Sequence, residues 1–136
     1  MTNYESKVVV NQPKTKIFEQ MEDLRNLEKY KTEFPNNDNF NIKFQKDFIT
    51  AENPQFGQIT VRITEKDEQK KLKFAVENIP VAANFCINFD EIQPEKTQIN
   101  LILEADIPFF IRPMLDGKLR AGLDKAAELL SIAFNK

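Results

Sequence analysis

The strongest constraint on this chain is a change in the spacing of its apolar residues, from every second residue to a helical repeat. In the middle of the chain apolar and polar side chains alternate, as where Ile59, Val61 and Ile63 are separated by Thr60 and Arg62. This alternation predicts strands with one dry and one solvated face, which is typical of antiparallel sheets. Parallel strands buried on both faces would show continuous apolar runs instead.

The same alternation continues through several later strands and defines one predicted dry face. Its members are Ile59, Val61, Ile63, Leu72, Phe74, Val76, Phe85, Ile87, Phe89, Ile99, Leu101 and Leu103. Two short polar runs, Glu65–Lys71 and Gln93–Lys96, predict hairpin connections between consecutive strands. A β-branched run, Ser6–Val10, predicts one more strand near the amino terminus.

Helical spacing flanks the alternating region on both sides. Before it, Ile17 and Met21 belong to one predicted short helix and Leu24 and Leu27 to a second, and Phe34–Asn39 has the composition of a turn. After it, one long helix is predicted, whose apolar stripe is Met114, Leu115, Leu119, Leu123, Ala126, Leu130 and Phe134. This helix is expected to cover the dry face, which gives an α+β domain of two layers.

Two glycines, Gly117 and Gly122, fall inside the predicted long helix, where each costs about 1 kcal/mol relative to alanine. One explanation is a close approach of the sheet or of a ligand, and the other is a local bend. Prolines at positions 108 and 113 lie at the helix entrance, where a missing N–H is tolerated.

Composition excludes several classes of chemistry. The chain has 136 residues, which suits a single domain spanning residues 1–136. It contains no histidine and one cysteine, so histidine-based triads, histidine-ligated metals and disulfides are excluded. No nucleotide-binding loop, zinc spacing or nucleophile elbow occurs. We therefore predict no catalytic residue, no metal and no cofactor.

The net charge and the hydropathy of the chain argue against nucleic acid and membranes as partners. With 19 Lys+Arg and 21 Asp+Glu residues the net charge is -2, which gives no electrostatic footprint for nucleic acid or an anionic membrane. No apolar run approaches the length of a signal-peptide core or a membrane span. A cytoplasmic protein without integral membrane association is expected, as a monomer or weak homodimer.

The order of predicted elements, one strand, two short helices, six strands and a long helix, resembles the helix-grip arrangement. The segments Val10–Phe18 and Asp23–Leu27 are similar to the proline-opened helix and following turn of the START/Bet v 1-like (SRPBCC; polyketide cyclase/dehydrase and lipid transport) superfamily. Lys96–Thr97 and Glu104–Asp106 look like small bacterial members.

The resemblance implies a curved seven-stranded antiparallel sheet that grips the long helix, with an elongated apolar cavity between them. Members of the superfamily bind lipids, sterols or polyketides, and some are aromatase-cyclases. The glycine-rich loop of the plant allergen branch is absent here, since the only glycines are at positions 57, 117 and 122. No functional residue is carried over from a family motif.

The candidate ligand-binding residues combine the predicted dry face with the start of the long helix. They are Ile59, Val61, Ile63, Leu72, Phe74, Val76, Phe85, Ile87, Phe89, Leu101, Leu103, Met114, Leu115, Leu119, Arg112 and Tyr30. The apolar members are equally what an ordinary core contains. Arg112 is a candidate partner for a ligand carboxylate or for Asp106 or Asp116, and Tyr30 offers a hydroxyl at the cavity mouth. Cys86 falls on the solvated face with no adjacent base, which predicts an inert thiol.

Three functions remain open on this sequence. The first is non-catalytic binding or transport of a small hydrophobic ligand such as a lipid or polyketide, and a cavity without charged groups would favour it. The second is a cyclase- or dehydratase-like enzyme, which a buried carboxylate paired with a tyrosine or arginine would favour. The third is a protein-interaction module, which an exposed apolar patch around Pro108, Phe109 and Phe110 would favour.

Overall fold

The computed structural model describes residues 2–33, 41–53, 57–68, 70–79 and 81–135, and the predicted turn at Phe34–Asn39 lies outside these ranges. The elements follow the predicted order. They are β1 (Thr2–Val10), α1 (Lys14–Met21), a 3-10 helix (Leu24–Glu33), β2 (Asn41–Phe44), β3 (Phe48–Asn53), β4 (Gly57–Asp67), β5 (Lys71–Glu77), β6 (Ala83–Gln93), β7 (Lys96–Ala105) and α2 (Arg112–Phe134).

The seven strands form one antiparallel sheet in the order β1-β7-β6-β5-β4-β3-β2. Consecutive strands from β2 to β7 pair as neighbours. The last strand, β7, also pairs with the first, β1, and Val8 lies opposite Ile99 in this pair. The long helix α2 follows the last strand. This arrangement confirms the predicted helix-grip architecture.

The β4–β5 hairpin is tighter than the charge run predicted. β4 continues through Asp67 and β5 begins at Lys71. Glu65 lies opposite Lys73 in the register, with the Lys73 Nζ atom 3.6 Å from a Glu65 carboxylate oxygen. Opposite charges that face each other across a strand pair favour pairing, so the charged residues extend the strands instead of breaking them.

The core lies between the sheet, α1 and α2. Leu72, Ile99 and Leu101 are almost completely buried. From α1, the Phe18 ring packs edge-to-face against Phe89, with 5.9 Å between ring centroids. The buried residues of α2 are Leu123, Ala127, Leu130, Ala133 and Phe134.

The contacts of α2 with β1 extend along the length of the helix. Near its start, the Tyr4 hydroxyl donates a hydrogen bond to Asp116. Further along, Ser6 Oγ lies 2.8 Å from an Asp124 carboxylate oxygen. At its end, the Asn11 backbone N–H donates to Asn135 Oδ1 at 2.7 Å. These polar contacts fix which face of α2 meets the sheet.

The expectation that Met114 faces the sheet is wrong, since its side chain is 72% exposed. Met114 and Leu115 are consecutive and therefore point about 100° apart around the helix axis. Leu115 is the one that packs against the core. Leu119 also packs there, so the inward stripe runs through these two leucines and leaves Met114 outside.

Neither Gly117 nor Gly122 is explained by a close approach of the sheet, because a Cβ added at either position meets no protein atom within 4 Å. Both lie within the 23-residue helix α2. We therefore expect Gly122→Ala to raise the free energy of unfolding by about 0.5–1 kcal/mol, since alanine loses less backbone entropy in a helix. Urea denaturation of the variant measures this change. An unchanged or lower stability would mean that the helix needs glycine there for a bend.

Candidate functional site

An apolar cavity of about 220 Å³ lies between the sheet and the carboxyl-terminal half of α2, under the 3-10 helix. It is partly open to solvent. Six of its lining residues come from the sheet and pair directly across neighbouring strands. They are Ile49 opposite Val61, Phe74 opposite Phe85, and Ile87 opposite Leu101. The predicted dry face thus supplies most of the cavity floor.

The roof of the cavity comes from two separate parts of the chain. Residues of α1 and the 3-10 helix form one side, and residues of α2 form the other. The first group is Met21, Leu24, Leu27 and Tyr30, and the second is Ala126, Leu129, Leu130 and Ala133. Ala126, Leu130 and Ala133 follow helical spacing on α2. The two alanines present only a methyl group, which leaves space where a larger side chain would fill it.

The 3-10 helix is held at its start by Asp23. The Asp23 carboxylate accepts hydrogen bonds from the Arg25 backbone N–H at 3.1 Å and from Arg25 Nε at 2.9 Å. These bonds lower the pKa of the Asp23 carboxyl to about 2. The neighbouring Leu24 N–H donates to the Lys46 carbonyl at 2.9 Å, in the turn between β2 and β3. Together these bonds position Leu24 and Leu27 over the cavity.

Tyr30 is the one lining residue, among those the structure describes, whose side chain carries a polar atom. Its hydroxyl donates to the Ala133 carbonyl at 3.3 Å, which joins the 3-10 helix to the end of α2. No charged residue lines the cavity within the described part of the chain. The described lining of the cavity is therefore neutral and almost wholly apolar.

The predicted ligand-binding residues divide into four groups. Those that line the cavity are Tyr30, Val61, Phe74, Phe85, Ile87 and Leu101. Leu72 and Phe89, with Ile99 of the same dry face, are buried in the core away from it. Those that are partly buried without lining it are Ile59, Ile63, Val76, Leu103, Leu115 and Leu119. The exposed Met114 and the half-buried Arg112 are at the opposite end of α2 from the lining alanines.

Several lining residues were absent from the predicted set. They are Met21, Leu24, Leu27, Ile49, Ala126, Leu129, Leu130 and Ala133. The helical spacing of Leu24 and Leu27 and the apolar stripe containing Ala126 and Leu130 were visible in the sequence. What the sequence lacked was a signal that these segments meet over the same part of the sheet.

The Tyr4–Asp116 pair is the arrangement that an enzyme hypothesis requires, but it lies outside the cavity. Tyr4 is 1% exposed, and its hydrogen bond to Asp116, its burial and the Asp116 charge raise its pKa above the ordinary value. Arg120 lies over the Tyr4 ring at 5.4 Å from its centroid. Arg112 Nη2 lies 3.5 Å from the Ile107 carbonyl oxygen, and its buried Nε has no hydrogen-bond partner among the described residues. None of these side chains lines the cavity.

Cys86 lies on the face of β6 away from the cavity, beside the side chains of Lys73 and Glu104. Partial burial raises the pKa of its thiol, and the nearby lysines only partly oppose this. A raised pKa leaves little thiolate at neutral pH, which is the condition for an unreactive cysteine.

An exposed apolar patch lies at the amino-terminal end of α2. Phe109 is 80% exposed and Phe110 is 71% exposed, and Met114 extends the patch by one helical turn. The two phenylalanine rings pack edge-to-face with 6.0 Å between centroids. At 1.5 Å per residue, Met114 is about 18 Å along the helix axis from Ala126. The patch and the cavity are therefore separate features.

Among the residues that the structure describes, no group of three or more acidic or cysteine side chains is placed to hold a metal ion. None of the described helices is long and apolar enough to cross a membrane.

No protein-family model and no curated protein matches the sequence. Solved structures do match the fold. An Aha1 dimer from Colwellia psychrerythraea has a TM-score of 0.69 at 12% sequence identity, and the match covers 99% of this chain and 97% of that one. Protein Ms6760 from Mycobacterium smegmatis has a TM-score of 0.67 at 16% identity, with 96% and 89% covered.

A third neighbour is the di-domain ARO/CYC protein BexL from the BE-7585A biosynthetic pathway. Its TM-score is 0.66 at 18% identity, and the match covers 98% of this chain and 47% of that one. The fold is therefore the helix-grip fold, as the order of the predicted elements implies. At these sequence identities the comparisons show the fold alone, and the function has to be inferred from the residues of the site.

Proposed function

We propose that this chain binds a small hydrophobic ligand in the cavity between the sheet and α2 without converting it chemically. The observation that carries the proposal is the lining of the 220 Å³ cavity, which is apolar and free of charged side chains among the described residues. Removing apolar ligand surface from water contributes roughly 25 cal/mol per Å², so such a lining supplies affinity without specific polar contacts.

The enzyme alternative is less well supported because the paired tyrosine and carboxylate that could transfer a proton lie outside the cavity. A general acid or base must come within hydrogen-bond reach of the reacting atom. Tyr4 and Asp116 are the paired groups of the right type, and they are packed between β1 and α2. The one lining hydroxyl, that of Tyr30, already donates to a backbone carbonyl.

The interaction-module alternative depends on the exposed patch of Phe109, Phe110 and Met114. Three such side chains present of the order of 450 Å² of surface. A stable interface takes about 800 Å² from each partner. The exposed patch is thus smaller than a stable protein interface requires, and the cavity is the better supported of the two candidate sites.

The proposal is tested by filling the cavity. Ala126 lines the cavity, so the larger side chain of Ala126→Leu occupies part of the cavity volume. Because Ala126 is only partly buried, we expect α2 to accommodate the leucine without loss of the fold. Toluene at ten times its dissociation constant is expected to stabilise the wild-type protein by about 1.4 kcal/mol. We expect Ala126→Leu to lose this stabilisation, as measured by thermal denaturation with and without toluene.

The matched control is Ala121→Leu, the same change at an exposed position of the same helix. It is expected to keep the full response to toluene. Native mass spectrometry of the protein from its own host provides a second readout, in which a co-purified apolar molecule is expected in wild type and missing in Ala126→Leu. An equal response in all three proteins, or none in wild type, would contradict the proposal.

A further inference from the structure

We infer that the cavity selects a neutral apolar molecule of about nine non-hydrogen atoms, the size of a one-ring or fused two-ring hydrocarbon, and excludes long-chain lipids, polycyclic compounds and carboxylic acids. The inference rests on the proposed ligand-binding function and specifies its ligand class. It is carried by three properties of the cavity: its volume, its charge and its walls.

The volume sets the upper size. An apolar cavity of about 150 Å³ lined by leucine, isoleucine and phenylalanine holds one benzene molecule. By proportion, 220 Å³ holds about nine non-hydrogen atoms. Pockets for drug-sized ligands are larger, about 300–1,000 Å³. A rigid ring system larger than the cavity would have to displace the packed walls to enter, which costs free energy, and a long chain would keep much of its apolar surface in water.

The absence of charged side chains among the described lining residues determines the polarity of the ligand. A carboxylate moved into this cavity would leave water without gaining a cation, and such a transfer is strongly unfavourable. Arg112, the cation that the sequence suggested, is at the other end of α2 and contacts the Ile107 carbonyl. The Lys29 ammonium lies 5.2 Å from the centroid of the Tyr30 ring, and Lys29 does not line the cavity. A ligand that is ionised at neutral pH is therefore disfavoured against its uncharged analogue.

On the sheet side, a packed pair of phenylalanine rings limits the width of the cavity. Phe74 and Phe85 lie directly opposite each other on β5 and β6, with ring centroids 5.5 Å apart and planes inclined by 45°. Phe74 is 5% exposed, so its ring has little freedom to move aside. Phe85 is only partly buried, so its truncation enlarges the cavity with less damage to the core than truncation of Phe74.

The experiment compares three probes with wild-type protein: indane, indane-2-carboxylate and phenanthrene. Indane matches the cavity in size, the second probe adds a charge, and the third adds a ring. Calorimetric titration for the first two and fluorescence titration for phenanthrene are expected to show indane binding at least tenfold more tightly than either. Equal or tighter binding of indane-2-carboxylate or phenanthrene would overturn the inference and leave the proposed binding function standing. Binding of none of the three would overturn both.

A gain-of-binding variant tests the size limit separately. Phe85→Ala is expected to bind phenanthrene at least tenfold more tightly than wild type does, because the removed ring leaves room for the additional one. Phe110→Ala is the control, since Phe110 is exposed at the far end of α2. An unchanged phenanthrene affinity in Phe85→Ala that is folded by circular dichroism would overturn the size limit. If that variant does not fold, the three-probe series on wild type remains decisive.

Discussion

Replacing Phe89 with alanine is expected to lower the free energy of unfolding by about 3–5 kcal/mol, the usual loss for a buried phenylalanine. Phe89 is 3% exposed and packs edge-to-face on Phe18, so it holds α1 against the sheet. Its truncation removes this aromatic contact and leaves a void that the surrounding strands cannot fully close. Urea denaturation followed by circular dichroism measures the loss.

The control for this change is Phe109→Ala, an identical substitution at a position that is 80% exposed. It is expected to change the stability by no more than about 0.5 kcal/mol. Equal losses in the two variants would show that Phe89 does not pack as described. Because Phe89 does not line the cavity, the folded fraction of Phe89→Ala is also expected to keep its response to toluene.

Tyr4→Phe is expected to lower the free energy of unfolding by about 1.5–3 kcal/mol, the range for a hydrogen bond to a charged group. The Tyr4 hydroxyl donates to Asp116 from a side chain that is 1% exposed, and it joins β1 to the start of α2. Phenylalanine keeps the ring in place and leaves the Asp116 carboxylate without this donor. The control is Ser6→Ala, which removes an exposed contact between the same two elements and is expected to cost clearly less.

The same pair predicts a dependence of stability on alkaline pH. The folded protein raises the pKa of Tyr4 above 10.0, so the folded state holds the phenolic proton more tightly than the unfolded state does. The stabilisation is therefore complete below pH 10 and is lost as pH rises through the pKa of the folded state. Wild type is expected to lose more stability than Tyr4→Phe between pH 9 and pH 11. Parallel losses in urea denaturation at the two pH values would contradict this assignment.

Sequence periodicity predicted which strand residues share the buried face of the sheet. Val61, Phe74 and Leu101 were placed on one face by alternation alone, and all three line the cavity. The prediction works because a strand sends successive side chains to opposite faces, so one register decides the whole set. Thr60 is a departure, since alternation places it on the solvated face and the structure buries it.

The helix side was predicted less well. Helical spacing starts the apolar stripe of α2 at Met114, which is exposed, and the lining residues lie toward the other end of the helix. Helical spacing gives a broad apolar face, and its phase is decided by what the helix packs against. Here the contacts of Tyr4 and Ser6 with α2 decide that phase, and they join residues more than a hundred positions apart.

The alternating strands and the missing histidine by themselves determined that this chain is an α+β domain with an antiparallel sheet and without imidazole chemistry, because both are local properties of the sequence. Only the tertiary structure decided that a void exists and where it lies. Whether apolar residues fill the space between them depends on how surfaces from distant segments fit together. Ala126 and Ala133 are ordinary helix residues in the sequence, and they become the roof of a cavity only when α2 lies across the sheet beside the 3-10 helix.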